Sequence, residues 1–213
     1  MSQPRISDST VRRLSVYLRL LRELEREERE IVSSKELATR SGTTPAQVRK
    51  DLSLFGSFGK RGRGYTVPTL VSTLERILGL ERRWRVVLVG VGRIGSALLG
   101  YRDLEDRGFD VVAALDVDPG KVGDRVDDHR IEPMDRLEEI VDDRDVEMGI
   151  VAVPPDAAQE VADRLAEAGV RALLNFAPVK LDLGGDVVVR SMDVALEMEG
   201  LSFVLSRGEG EDG

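Results

Sequence analysis

The stretch at residues 85–101, RVVLVGVGRIGSALLGY, decides the fold. Arg85 to Val89 is a continuous β-forming run, the composition of a parallel strand buried on both faces. Gly90, Gly92 and Gly95 then set a GxGxxG pattern at the mouth of a helix. In that pattern the first glycine makes the turn, the second lets the backbone approach a pyrophosphate, and the third lets helix pack on strand. A lone GxGxxG says little. Here it follows a strand, opens a helix and precedes a second β-run, Phe109 to Leu115, that ends in Asp116. An acid about 20 residues past the glycines suits the ribose hydroxyls of an adenosine. Its charge disfavours a 2′-phosphate, so NAD(H) is expected in preference to NADP(H).

Downstream, the alternation continues. Residues 134–141 read as a helix, 146–153 as a strand, 156–168 as a helix closed by Gly169, 170–176 as a strand and 187–190 as a further short one. Strands alternating with helices predict a doubly wound parallel α/β sheet, a Rossmann-type domain over 85–191. The strings AVPP (152–155) and NFAPV (175–179) fall at the carboxyl ends of strands, the edge where such sheets bind ligands. The last periodic segment carries Val194, Met198, Leu201 and Val204 on one stripe, a terminal helix over 192–207 with an apolar face. The tail, 208–213, reads as disordered.

Upstream, the pattern changes. Leu14, Tyr17, Leu18, Leu21 and Leu24 recur at helical spacing, so 9–27 reads as an amphipathic helix. Ser33 stands three residues before Glu36, a capping-box spacing that opens a short helix ending at Ser41-Gly42. Thr44, Pro45 and Gln47 start the next, which runs to about Phe55 with Val48 and Leu52 inward and Arg49 and Lys50 outward. Helix, short turn, helix is the helix-turn-helix pattern. Next comes FGKRGRGYTV (58–67), whose glycines permit a hairpin, whose Lys60, Arg61 and Arg63 charge it and whose Tyr65-Thr66-Val67 reads as the return strand. The expected structure is a winged helix-turn-helix over 1–84, with the wing cations entering a minor groove. Residues 69–80 read as a closing helix and 81–84 as a linker.

Charge divides the same way. The formal net charge is −8, yet residues 1–84 hold 17 Lys and Arg against 10 Asp and Glu, net +7, and the remainder nets −15. A basic front on an acidic chain points to a polyanion partner for the front alone, double-stranded DNA. With no cysteine and one histidine, disulfides, thiolate sites and paired-histidine zinc sites are excluded, and no metal is expected. No apolar run is long enough to span a bilayer and the first residues lack the apolar core of a signal peptide, so a cytoplasmic protein without a membrane partner is expected.

These strings together, YLRLL, QVRKDLSLFG, GYTV, LVGVGRIGSAL, NFAPV and MDVALEMEGLSF, resemble the Rex family of redox-sensing transcriptional repressors over nearly the whole chain. The resemblance implies a homodimer whose terminal helix is exchanged between subunits. It implies a palindromic operator and release when NADH rises relative to NAD+. The dinucleotide site it implies is Gly90, Val91, Gly92, Arg93, Ile94, Gly95 and Asp116, with Val153, Pro154, Ala177 and Pro178 on the nicotinamide side. The implied DNA side is Arg13, Arg19, Gln47, Arg49, Lys50, Ser53, Lys60, Arg61 and Arg63, and the implied switch is Arg93, Tyr101 and Asp193. One position departs from the pattern: Val194 is smaller than the apolar residue the resemblance implies after the aspartate.

Two other readings compete. An NAD-dependent dehydrogenase would need a substrate domain and a proton donor at the nicotinamide. The basic front is a poor substrate domain, His129 lies in a polar stretch read as a loop, and Tyr101 and Lys180 are the remaining donors. A regulator of the same build that senses a CoA derivative is the other, against which Asp116 argues.

Overall fold

A computed structural model describes residues 6–56 and 64–208. The chain forms two compact units, Met1–Arg82 and Arg83–Gly213.

In the first unit, α1 (Asp8–Arg26), α2 (Ser34–Ser41) and α3 (Pro45–Ser53) are followed by α4 (Val67–Ile77). Side-chain caps set the starts of the first three. Ser7, Ser33 and Thr44 accept from the N–H groups of Thr10, Glu36 and Gln47, and Pro45 sits in the first turn of α3. Both capping boxes are half-made. Glu36 turns to Arg29 and Arg40, and Gln47 turns to Asp51. Gly42, left-handed at φ 66°, ends α2 and permits the turn into α3. Leu14, Tyr17, Leu21, Leu37, Val48, Leu52, Leu70 and Leu74 close one core.

The return strand differs from expectation. β2 (Tyr65–Thr66) pairs antiparallel with β1 (Ile31–Val32), which lies between α1 and α2. Gly64 makes that approach possible: a Cβ there would lie 2.5 Å from the Val32 carbonyl oxygen. Val67, read as strand, is wholly buried as the first residue of α4, which thus starts two residues before the expected closing helix. The rest of the expected wing, with Lys60, Arg61 and Arg63, lies outside the described residues.

In the second unit, a seven-stranded sheet has the order β5-β6-β4-β3-β7-β8-β9. Its strands are β3 (Trp84–Val89), β4 (Phe109–Asp116), β5 (Arg125–Val126), β6 (His129–Pro133), β7 (Met148–Val151), β8 (Ala172–Asn175) and β9 (Val188–Ser191). All pairs are parallel except β5 with β6. Leaving β5 aside, this is the doubly wound order in which the sheet reverses beside its first strand. α7 (Leu137–Asp143) and α8 (Pro155–Glu167) pack on one face through Leu137, Ile140, Ala158 and Leu165. α5 (Arg93–Leu99) and the one-turn α6 (Asp103–Asp106) cover part of the other through Leu98, Leu99 and Leu104. Toward β7–β9 that second face is open. An almost wholly apolar recess of about 430 Å³ lies there, bounded by Val86, Phe109, Met148, Ile150, Leu174 and Val188.

Three sequence expectations are corrected. Residues 134–136 form a 3-10 turn, and the helix begins only at Leu137. Trp84, assigned to the linker, opens β3. His129, read as a loop residue, begins β6, and its Nε2 donates to the Val111 carbonyl at 2.8 Å. β6 pairs only with residues 114–116 of β4, and the Val111 and Val112 carbonyls just before that pairing find side-chain donors instead. His129 takes one of these, and Arg144 donates to the next, that of Val112, at 2.6 Å.

α9 (Val194–Gly208) ends the described chain and is exposed along its length.

Candidate functional site

The reversal point of the sheet lies between β3 and β7, and the glycine loop sits on it. Gly90 has φ 96°, and a Cβ there would meet the Ala152 carbonyl oxygen at 2.5 Å and Val153 Cγ1 at 2.8 Å. The glycine loop and the end of β7 are thus in contact, which brings Val153 and Pro154 to the same edge as Gly90–Gly95. Gly95 is equally constrained, since its Cβ would fall 2.0 Å from the Gly90 carbonyl oxygen. Gly92 is different. A Cβ there would meet nothing within 4 Å, and its φ of −89° suits any residue. The fold has no use for a glycine at 92, whereas a pyrophosphate lying against the loop does. Arg93 and Ile94 are exposed beside it, and Val91 is buried.

Asp116 closes the loop from the next strand. It is 6% exposed. Its Oδ2 accepts from the Val91 N–H at 2.8 Å and from Lys121 Nζ at 2.9 Å, and its Oδ1 accepts from the Asp118 N–H at 2.9 Å. Burial pushes its pKa up, but these three bonds outweigh burial and hold it below the usual carboxylate range. Asp116 therefore has a structural task besides any ribose contact, with one of these bonds on Oδ1 and two on Oδ2. Val117, 78% exposed, lies just beyond. Lys121 is a member of this edge that the sequence reading missed; DVDPGK holds it five residues from Asp116.

On the other side of the reversal point, the NFAPV loop leaves β8. Asn175 is wholly buried and folds that loop through its side chain. Ala177 is buried and Pro178 exposed.

Two of the three residues of the expected switch have separate partners within this chain. The Asp193 Oδ1 caps α9, accepting from the N–H groups of Ala195 at 2.9 Å and Leu196 at 3.3 Å. The Tyr101 hydroxyl bonds to Asp103 Oδ2 at 3.0 Å, and Arg93 stands exposed.

In the first unit, two of the expected DNA contacts turn inward. Arg13 Nε and Nη2 donate to Asp51 at 2.7 and 2.8 Å, Gln47 Nε2 donates to its Oδ1 at 2.8 Å, and the Tyr17 hydroxyl donates to its Oδ2 at 3.0 Å. Asp51 is 1% exposed. Burial raises its pKa, and Arg13, Gln47 and Tyr17 more than reverse that. Burial, then Asp51, push the Tyr17 pKa up to about 12. The four residues clamp α3 to α1, so Arg13 and Gln47, both half-buried, support α3 in this chain. Asp51 and Tyr17 were missed; the legible signal was a charge at 51 on the same helix face as Val48 and Leu52. Arg19, Arg49, Lys50 and Ser53 remain exposed, with Arg49 reaching Ser34 Oγ at 3.1 Å.

Among the described residues, no group of three or more His, Asp or Glu gathers where a metal ion could be held, and no helix is long and apolar enough to cross a membrane.

The chain is 45% identical over 209 residues to the redox-sensing transcriptional repressor Rex of Desulforamulus reducens, covering 98% of this chain and 100% of that protein. The chain belongs to the Rex family. The Rex of Streptomyces coelicolor is 44% identical, over 97% of this chain and 80% of its own. Among solved structures, the Rex-family repressor RSP in complex with β-NAD+ and operator DNA has a TM-score of 0.90 at 33% identity, covering 98% and 99% of the two chains. RSP in complex with β-NADH gives 0.85 at 32%, covering 96% of each. Two family models match parts of the chain: "Putative DNA-binding protein N-terminus" at residues 5–53 and "CoA binding domain" at 81–179.

Proposed function

We propose that this protein is a redox-sensing transcriptional repressor that binds operator DNA through its first unit and NAD(H) through its second. The observation that carries the reading is Gly92. It is a glycine the fold does not require, at the reversal point of the sheet, in a chain that also presents a helix-turn-helix with Arg49, Lys50 and Ser53 exposed on α3. The relatives and the RSP complexes support it.

α3 would lie in the major groove, with Arg49, Lys50 and Ser53 toward bases or phosphates, Arg19 toward the backbone, and Lys60, Arg61 and Arg63 along the minor groove. Operator binding would be by a homodimer on two half-sites related by the protein's two-fold. α9 supports the dimer. Val194, Met198, Leu201 and Leu205 lie on one side of it and Leu196 and Phe203 on the other, every one more than half exposed in the single chain. A helix apolar on opposite sides needs cover on both. A partner subunit that receives it, and the open apolar face beside β7–β9, would supply that cover.

NAD+ and NADH differ only at the ring, a flat cation in one and neutral in the other. Val153, Pro154, Ala177 and Pro178 offer that ring apolar surroundings, and burying an unpaired positive charge there is costly. NADH would bind more tightly, and it would release DNA by preferring the dimer arrangement that does not fit the operator. Asp193, whose Oδ2 is not used in the cap, would report between subunits by pairing with Arg93 or Tyr101 of the partner subunit in the two arrangements. The chain would work in the cytoplasm and turn over no substrate.

The test is titration of operator complexes with NADH and NAD+ at fixed salt. Release by NADH at concentrations where NAD+ releases nothing is expected; equal curves would end the proposal. CoA sensing is the second reading, favoured by the family model over 81–179. A thermal-shift comparison of NADH, NADPH and CoA separates it: stabilisation by CoA alone would replace NAD(H) in this scheme.

A further inference from the structure

Asn175 occupies a position that the function above leaves unexplained. It is the last residue of β8 and is wholly buried. Its Nδ2 donates to the carbonyls of Ala177 at 3.0 Å and Val179 at 2.9 Å, and its Oδ1 accepts from the Ala177 N–H at 2.9 Å. Both amide protons meet carbonyl oxygens, so only one orientation of the amide fits. The side chain thus shapes residues 176–179, together with the Val179 N–H, which donates to the Ala177 carbonyl at 2.8 Å. The start of the loop is fixed to β7, because the Phe176 N–H donates to the Val151 carbonyl at 2.9 Å.

The backbone of the same residue does something else. The Asn175 carbonyl accepts from the Met192 N–H at 2.8 Å, the bond next after the Asn175–Ser191 pairing that ends β9. Beyond Met192 the chain leaves the sheet, Asp193 caps α9, and the exposed helix begins. One buried residue therefore holds the nicotinamide-side loop by its side chain and the root of α9 by its carbonyl.

We propose that Asn175 is the positioning residue that couples the occupied nicotinamide pocket to the root of the dimer helix. The inference rests on the reading of the chain as an NADH-released repressor. A ring seated against Ala177 and Pro178 moves the loop. The loop can move against Asn175 only by tilting its peptide, and that tilt turns the carbonyl on which Met192 hangs. Met192 adjoins Asp193, so the N-terminus of α9 shifts relative to the sheet. The alternative is that Asn175 merely closes a turn. A closed turn affects stability and NADH affinity, but not how far bound NADH lowers the affinity for DNA.

The measurement is the ratio of operator affinities without NADH and with the protein saturated, saturation being followed by NADH fluorescence. It is made on the full-length chain and on Asn175→Ala. Coupling free energies of this kind correspond to about 5–150-fold, and Asn175→Ala should reduce the ratio by about tenfold. A saturated Asn175→Ala protein that keeps the full ratio overturns the inference. Hydrogen exchange in the unmodified protein decides the matter should the variant not fold. NADH should alter the protection of the Ala177 and Met192 amides together, and a change at Ala177 with none at Met192 overturns it equally. Failure of the underlying reading shows separately, in an unmodified chain whose operator complex ignores NADH.

Discussion

Gly92 and Gly95 stand three residues apart and answer to different demands. A methyl at 95 would collide with the Gly90 carbonyl, so Gly95→Ala must displace α5 from β3 and should lower the melting temperature or abolish folding. A methyl at 92 enters open space. Gly92→Ala should melt within a degree or two of the unmodified protein and bind NADH at least about tenfold more weakly, a loss of about 1.4 kcal/mol in calorimetry. Equal NADH affinity for Gly92→Ala would remove the loop as a pyrophosphate seat. At Asp51 the demand is electrostatic. Its pKa is held below the unfolded value, so its contribution is present above about pH 4 and is lost as pH falls through the folded value. Tyr17 is the opposite case. Its folded pKa of about 12 exceeds the ordinary 10.0, so its contribution is complete below pH 10 and is lost as pH rises through about 12. Tyr17→Phe should cost about 1 kcal/mol near neutrality and flatten that alkaline limb in pH-dependent unfolding. The glycines were legible because their spacing encodes a turn. The inward turn of Arg13 was not, because an arginine on a DNA-facing helix has the same spacing whether it meets a phosphate or a carboxylate 38 residues on.

Among the elements, long helices and central strands were readable, since burial imposes a period on the helices and a continuous apolar run on the strands. β6 was not. It lies between the two-residue β5 and β4, pairs with only three residues of β4 and carries His129, Arg130, Glu132 and Pro133, so no apolar alternation marks it. Capping motifs placed α2 and α3 well, because Ser33 and Thr44 act locally. In α9 the expected single stripe proved half the pattern: Leu196 and Phe203 sit opposite it, and Arg207 lies 4.6 Å from the Phe203 ring centre. A helix with one apolar stripe can dock on a flat surface, whereas this one must be enclosed. Truncation after Ser191 should therefore yield monomers or aggregates in sedimentation velocity and lose operator binding. A soluble, monomeric truncation with full operator affinity would take α9 out of the assembly.

For the whole molecule, the +7 and −15 halves make DNA binding directional. The acidic unit repels the phosphates that the basic unit attracts, so the chain approaches a duplex one way round. A dimer that neutralises about 6–10 phosphates should lose roughly 10³–10⁵ in operator affinity between about 50 and 200 mM salt, measured by fluorescence anisotropy. An affinity that stays flat across that range would contradict a phosphate-led interface. The Lys60, Arg61, Arg63 triple alanine variant should shallow the dimer's salt slope by about five if all three cations of both subunits meet phosphate.

The unpaired stretch of β4 bears on how the protein keeps in solution. Projecting carbonyls at a sheet edge are a template on which a strand from another molecule can add. His129 and Arg144 occupy the Val111 and Val112 carbonyls and so deny that template to neighbours. Neither residue needs to touch NADH or DNA for its loss to be felt. His129→Ala should bind operator normally when fresh, yet scatter light increasingly over days at high concentration, so that the damage shows as shortened shelf life.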